Sequence, residues 1–272
     1  MSSNLTFVSS GDLLLSFKKF GRGKEIVICL HGHGREPEDF KFLANEKRTI
    51  ISIVLFHHGQ SFFPEERIEK NPLSQEEFLD LFDLILKKES ISTFNLVAFS
   101  QGGRFAMIIF QKYFQIVSSV NLISPDGMDN QSFYNRMSRK KWARHLFLKW
   151  EENPKQLVNY SKIAKRLKLM RPKVLAFVEK FASEKETFRR ASLTWRGFRN
   201  IQPDEMQLMQ ILSDYKGTFK IIMGSFDQVI RPKQAYAFSK RIAKPNCIVE
   251  IPCGHNFFND KNQKLIEEVI HF

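Results

Sequence analysis

An α/β fold is what this sequence predicts: a mostly parallel central sheet, helices on both of its faces, and an all-helical insertion. Three observations predict it. Compact apolar runs at 26–30, 50–56 and 94–99 read as buried strands, and further strands are expected at 116–123, 219–224 and 247–251. Helical patterns separate the early runs, so strand and helix alternate as they do when parallel strands are joined by crossovers. From about 132 to 201 the pattern turns purely helical. The core is therefore expected over 1–127 and 201–272, with a strongly basic insertion over 128–200.

The 272 residues suffice for one α/β domain with such an insertion. Hydrophobic content of 43% and charged content of 26% belong to an ordinary water-soluble globular chain. No apolar run is long enough to span a bilayer, and Met1-Ser2-Ser3-Asn4-Leu5 lacks the basic head and apolar core of a secretory signal. Cys29, Cys247 and Cys253 are odd in number and lack metal-ligand spacing, which reads as thiols in a reducing compartment. A cytoplasmic protein is expected.

In chain order, 5–20 should form two antiparallel edge strands turning at Gly11. The run Ile26-Val27-Ile28-Cys29-Leu30 leads straight into His31-Gly32-His33-Gly34. The next strand ends in His57-His58-Gly59-Gln60-Ser61. Ser74-Gln75-Glu76-Glu77 is a capping box, and Phe78, Leu81, Phe82 and Ile85 give the following helix an apolar face.

The stretch Leu96-Val97-Ala98-Phe99-Ser100-Gln101-Gly102-Gly103 is the centre of the chain. A strand that meets a helix at Ser100, with Ala98 and Gly102 on either side, requires a sharp turn with an exposed hydroxyl, and larger neighbours would clash there. After the strand at 116–123 comes Ser124-Pro125-Asp126-Gly127.

Within the insertion, Trp142, Leu146 and Trp150 form one stripe, with Ala143 and Phe147 beside it. Leu157, Tyr160, Ile163, Leu167 and Met170 form a second, and Val174, Phe177, Val178 and Phe181 a third. Here 19 Lys/Arg face 5 Asp/Glu over 131–200, while the rest of the chain holds 23 against 24. The formal charge of +13 thus sits in one segment. The sheet then resumes, with Gly224-Ser225-Phe226-Asp227 after one strand and Gly254-His255 after the last.

Serine, aspartate and histidine each follow a predicted strand, so all three belong at the carboxyl edge of one parallel sheet. A serine hydroxyl attacks only when an imidazole takes its proton, and that imidazole needs an acceptor on its other nitrogen. In these motifs and in their order the sequence resembles the α/β-hydrolase fold, with Ala98 in place of the usual first glycine of the elbow and His57 where glycine is common.

The resemblance implies Ser100 as nucleophile, His255 as base and Asp227 as its acid, with Asp126 as the alternative acid. It also implies backbone N–H groups of His33 and Gln101 as the oxyanion hole, an insertion acting as a cap over the site, and no metal or organic cofactor. Hydrolysis of a carboxylic ester or thioester follows from it. Acyl transfer and carbon–carbon cleavage use the same groups, and a fold kept for binding alone would need none of them. The substrate is expected to be a small acyl compound, open to an anionic one. The basic segment reads as a solvated face, an attractor of anionic substrates, or a dock for an anionic membrane. No nucleic-acid motif accompanies its charge.

Overall fold

The computed structural model describes residues 5–129, 133–168, 175, 178–179 and 182–272. The chain forms two compact units. One comprises Met1–Pro64, Leu73–Asn130 and Asn200–Phe272, the other Glu65–Pro72 with Gln131–Arg199.

The first unit holds an eight-stranded sheet in the order β1-β2-β4-β3-β5-β6-β7-β8. Its strands are β1 (Leu5–Ser10), β2 (Leu13–Phe20), β3 (Glu25–Leu30), β4 (Arg48–Val54), β5 (Phe94–Phe99), β6 (Val117–Ile123), β7 (Thr218–Gly224) and β8 (Ile248–Ile251). Only β2 runs against its neighbours; β4 through β8 pair in parallel. Two edge strands were expected at the start, but β2 pairs on both sides, because its Leu13, Leu15, Phe17 and Phe20 are buried.

Every residue of β5 is buried, as its unbroken apolar pattern requires. Register aligns the carboxyl ends: Leu30 pairs with Ala98, Phe99 with Ile123, Ile123 with Ile222 and Gly224 with Ile251. Loops leaving β3, β5, β6, β7 and β8 therefore emerge along one edge.

Helix α1 (Gln75–Lys88) starts where its capping box places it: Glu77 N–H donates to Ser74 Oγ at 3.1 Å and Ser74 N–H to Glu77 Oε2 at 3.0 Å. Helix α2 (Gly102–Tyr113) follows β5, and its Phe105, Met107, Ile108 and Phe110 are buried.

The second unit holds helices α3 (Phe133–Ser138), α4 (Lys141–Glu152), α5 (Pro154–Arg166) and α6 (Lys185–Gly197), with an aromatic cluster between α4 and α6. Phe147 stacks on Phe188 at 5.5 Å between ring centroids and meets Trp195 at 4.7 Å and Trp150 at 5.9 Å. Three arginines tie the segment around Glu69 to these helices. Arg144 and Arg196 reach the Glu69 carboxylate at 2.8 and 3.2 Å, and Arg199 donates to the carbonyls of Ile68 and Glu69. Burial alone would raise the Glu69 pKa, but the two guanidinium groups hold it below the usual range. The sequence reading kept 65–72 with the sheet, since nothing local marks three long-range arginine contacts.

The helical stripes behave unequally. In α4 the inward side holds Ala143 and Phe147, while Trp142 is exposed. In the second stripe Tyr160, Ile163 and Leu167 all face solvent. Met170 of that stripe, and Val174, Phe177 and Phe181 of the third, lie outside the described residues.

Helices α7 (Glu205–Asp214), α8 (Pro232–Arg241) and α9 (Asp260–Val269) complete the first unit. Helix α7 was not expected from periodicity. Its signal is Asp204, whose Oδ1 accepts from the N–H groups of Met206 and Gln207.

Candidate active site

Ser100 follows β5 directly, with φ at +48°, in the left-handed region that side chains avoid. Three backbone bonds hold it there. Ser100 N–H donates to Ile123 O at 3.0 Å, and Ser100 O accepts from Gly103 N–H at 2.9 Å and Asp126 N–H at 2.7 Å. The small residues around it are required by close approach. A Cβ on Gly102 would lie 2.3 Å from Leu30 O, one on Gly103 2.4 Å from Pro125 Cβ, and one on Gly32 2.7 Å from the Phe99 ring.

The loop after β8 brings His255 to this turn. Ser100 Oγ and His255 Nε2 are 3.1 Å apart, and His255 Nδ1 lies 2.6 Å from Asp227 Oδ2. An ionised carboxylate only accepts, so Nδ1 carries the proton and Nε2 is left to accept from the serine hydroxyl. Asp227 is 1% exposed and fully partnered: Oδ1 accepts from the N–H groups of Val229 (2.8 Å) and Ile230 (2.9 Å), and Oδ2 also accepts from Ser124 Oγ at 2.5 Å. Burial would push its pKa up, but hydrogen bonds from His255 and Ser124, electrostatic attraction to the His255 ring and the Ile230 N–H together hold it below the usual carboxylate range.

Asp126, the other candidate acid, is engaged elsewhere. Its Oδ2 pairs with the Arg104 guanidinium and its Oδ1 accepts from Gly127 N–H at 2.7 Å. Sequence reasoning gave Ser124 no role; the one signal for it was its place at a strand end beside the site.

His33 and Gln101 flank the serine from two loops. His33 lines the same cavity as Ser100, and Gln101 immediately precedes α2, where the N–H groups of the first turn have no partner within the helix. Two other histidines stitch the His33 loop to the loop after β4. Leu55 N–H donates to His31 Nε2 at 3.0 Å, and Gly34 N–H donates to His58 Nε2 at 2.9 Å. Each ring uses Nδ1 on a nearby carbonyl, Gly32 O for His31 at 2.8 Å and Phe56 O for His58 at 3.0 Å. His31 is fully buried and His58 nearly so.

The cavity beside Ser100 measures about 210 Å3 and is lined by His33, Arg35, Phe99, Val229, Phe257 and Phe258 among others. Arg35 is held in one pose: Nε and Nη2 donate to the Asp39 carboxylate at 2.6 Å each, and its guanidinium lies 5.3 Å from the centre of the Phe258 ring. Among the described residues, no three His, Cys, Asp or Glu side chains gather as metal ligands would.

A sheet with one reversed strand, a strained serine at the end of β5, and loops bearing aspartate and histidine from later strands define a hydrolase-like α/β architecture. The chain belongs to the alpha/beta hydrolase fold family, whose model matches residues 25–261. Solved structures of similar fold include an esterase from Thermogutta terrifontis, 16% identical at a TM-score of 0.67 over 98% of this chain and 97% of that one. The thioesterase domain of the curacin biosynthetic pathway is 15% identical at a TM-score of 0.63, with both chains covered completely. An alpha/beta hydrolase fold protein from Burkholderia ambifaria is 17% identical at 0.65, with 99% of each chain covered. A comparison with curated protein sequences found no match.

Proposed function

We propose that the protein is a serine hydrolase that cleaves a carboxylic ester or thioester through an acyl-enzyme on Ser100. The observation that carries this reading is the continuous chain of hydrogen bonds from Ser100 Oγ through His255 to Asp227, at 3.1 and 2.6 Å. Ser100 Oγ attacks the carbonyl carbon as its proton passes to His255 Nε2. Negative charge collects on the carbonyl oxygen, where the N–H groups of His33 and Gln101 receive it. The tetrahedral adduct then expels the alkoxide or thiolate, which takes the proton from Nε2. Water repeats the sequence: His255 removes its proton, the hydroxide adds to the acyl carbon, and the proton returns to Ser100 as the acid leaves. Asp227 stays ionised throughout and balances the imidazolium.

The cavity supports a compact acyl group bounded by phenylalanine rings, and Arg35 supports one that carries negative charge. The test is labelling with a fluorophosphonate probe. Wild-type protein is expected to react and Ser100→Ala to be silent. Labelling that persists in Ser100→Ala, or wild-type protein that neither labels nor hydrolyses p-nitrophenyl acyl esters, sinks the proposal.

A further inference from the structure

Helix α5 carries an apolar stripe of helical period that is turned outward. Tyr160, Ile163 and Leu167 are 57%, 55% and 63% exposed. Their i, i+3, i+7 spacing confines them to an arc of about 60° on the helix. Ser161, a quarter-turn round, is buried. A stripe of this kind ordinarily closes a core. Exposed Arg166, Lys155 and Lys168 border it, about 90–110° from its centre, and exposed Lys162 and Lys165 lie further round. Lys162 pairs with Glu179 at 3.5 Å, and the other four make no ion pair among the described residues. On the preceding helix Trp142 is 64% exposed, beside exposed Lys141.

Charge separates as sharply as polarity does. The unit made of 65–72 and 131–199 holds 21 Lys/Arg against 8 Asp/Glu, a net +13 that equals the charge of the whole chain. The unit that bears the sheet accordingly holds 21 against 21.

We propose that the exposed face of α5 docks on an anionic lipid surface. The helix would lie in the interface plane, with Tyr160, Ile163 and Leu167 at the level of the acyl boundary and the basic side chains among the headgroups. A second copy of the chain is disfavoured, because two faces of the same sign repel. RNA or DNA would satisfy the lysines and could stack on Tyr160, but it offers Ile163 and Leu167 nothing, since aliphatic side chains neither stack on bases nor contact phosphate favourably. A bilayer uses both halves of the pattern. The inference rests on no property of the Ser100 site.

Co-sedimentation with vesicles of phosphatidylcholine, alone or mixed equally with phosphatidylglycerol, tests it on the full chain. Binding is expected to the mixed vesicles only, and to weaken with salt. Arg166→Glu/Lys168→Glu should weaken it at least twenty-fivefold, about fivefold for each basic charge removed. Ile163→Ser/Leu167→Ser, which leaves the charge intact, should weaken it about tenfold or more. These positions are exposed, so the variants should keep the wild-type thermal transition. If one unfolds, Tyr160→Ser and Lys155→Glu address the same two properties. No binding to the mixed vesicles overturns the proposal. So does binding that ignores the serine substitutions and is matched by an RNA oligonucleotide, which would mark a plain polyanion surface.

Discussion

Ser124 Oγ donates to Asp227 Oδ2 at 2.5 Å, on the same oxygen that His255 Nδ1 reaches at 2.6 Å. One carboxylate oxygen thus couples the end of β6 to the imidazole. In Ser124→Ala the fold keeps its shape while Asp227 loses one of its hydrogen bonds. The expected cost is about 1–3 kcal/mol of stability at neutral pH. The kcat of the proposed hydrolysis should fall about tenfold as the ring loosens, with KM little changed.

The same contact has a pH signature. Asp227 has a folded pKa below its unfolded value, which is about 4. Its contribution to stability is present in full above that value and is lost as pH falls through the folded pKa. Removing the Ser124 hydroxyl raises the folded pKa toward the unfolded one. Less stabilisation then remains at neutral pH, and the loss on acidification becomes shallower. Denaturant midpoints measured from neutral pH down to about 3 compare the two slopes directly. Parallel curves would mean the hydroxyl does not act on the carboxylate.

The two aspartates at strand ends separate by substitution. Asp227→Asn keeps the shape but lets the side chain donate toward Nδ1, favouring the wrong imidazole tautomer. A fall in kcat of about 10³–10⁴ is expected, with binding of substrate retained. Asp126→Asn touches only the Arg104 and Gly127 contacts. It should lower the melting temperature by a few degrees and leave fluorophosphonate labelling intact. Equal losses of labelling in both variants would assign the acid differently.

Much of this was legible in the sequence. Strands buried on both faces lose all alternation, so β3, β5 and β6 could be placed by apolar runs alone. Ser100, Asp227 and His255 could be named because each follows a run that reads as a strand, although β8 itself is mostly not buried. Ser124 could not, because a strand-end serine is common and its partner lies 103 residues away. The outward stripe of α5 was illegible for a related reason. Periodicity reports that one face of a helix is apolar, and only the fold decides whether that face is turned inward. The aliphatic Ile163 and Leu167 read as part of an apolar stripe in the sequence and lie at the surface in the structure.

His58 holds the His33 loop through Gly34 N–H, so it supports the proposed oxyanion site from behind. In His58→Ala that N–H loses its acceptor and the loop is freed at one of its two stitches. Transition-state binding should weaken more than substrate binding, giving a kcat lower by about ten- to hundredfold at nearly constant KM. His58→Gln, whose amide oxygen can accept from Gly34, should restore part of the loss. A simple packing role would instead move thermal stability and leave kcat per folded molecule unchanged.

Space around the glycines of the turn makes the sharpest contrast. At Gly102 an added methyl meets the carbonyl oxygens of Leu30 and His31 at 2.3 and 2.8 Å. Both belong to backbone at the buried end of β3, so the relief must come from α2 moving away from β3. Such a movement would carry Gln101 and Ser100 with it. Gly102→Ala should therefore cost about 2–3 kcal/mol and abolish labelling even in the molecules that remain folded. Gly254 adjoins His255, yet beyond its two chain neighbours a methyl there comes no nearer than 3.9 Å to any atom, the Phe226 carbonyl oxygen. Gly254→Ala should stay within about 0.5 kcal/mol of wild type and keep its activity. Thermal melts and labelling of the two variants, run side by side, distinguish a glycine demanded by the serine turn from one that merely precedes the histidine. Equal tolerance at both positions would show that the close approach of α2 to β3 is not what fixes Ser100.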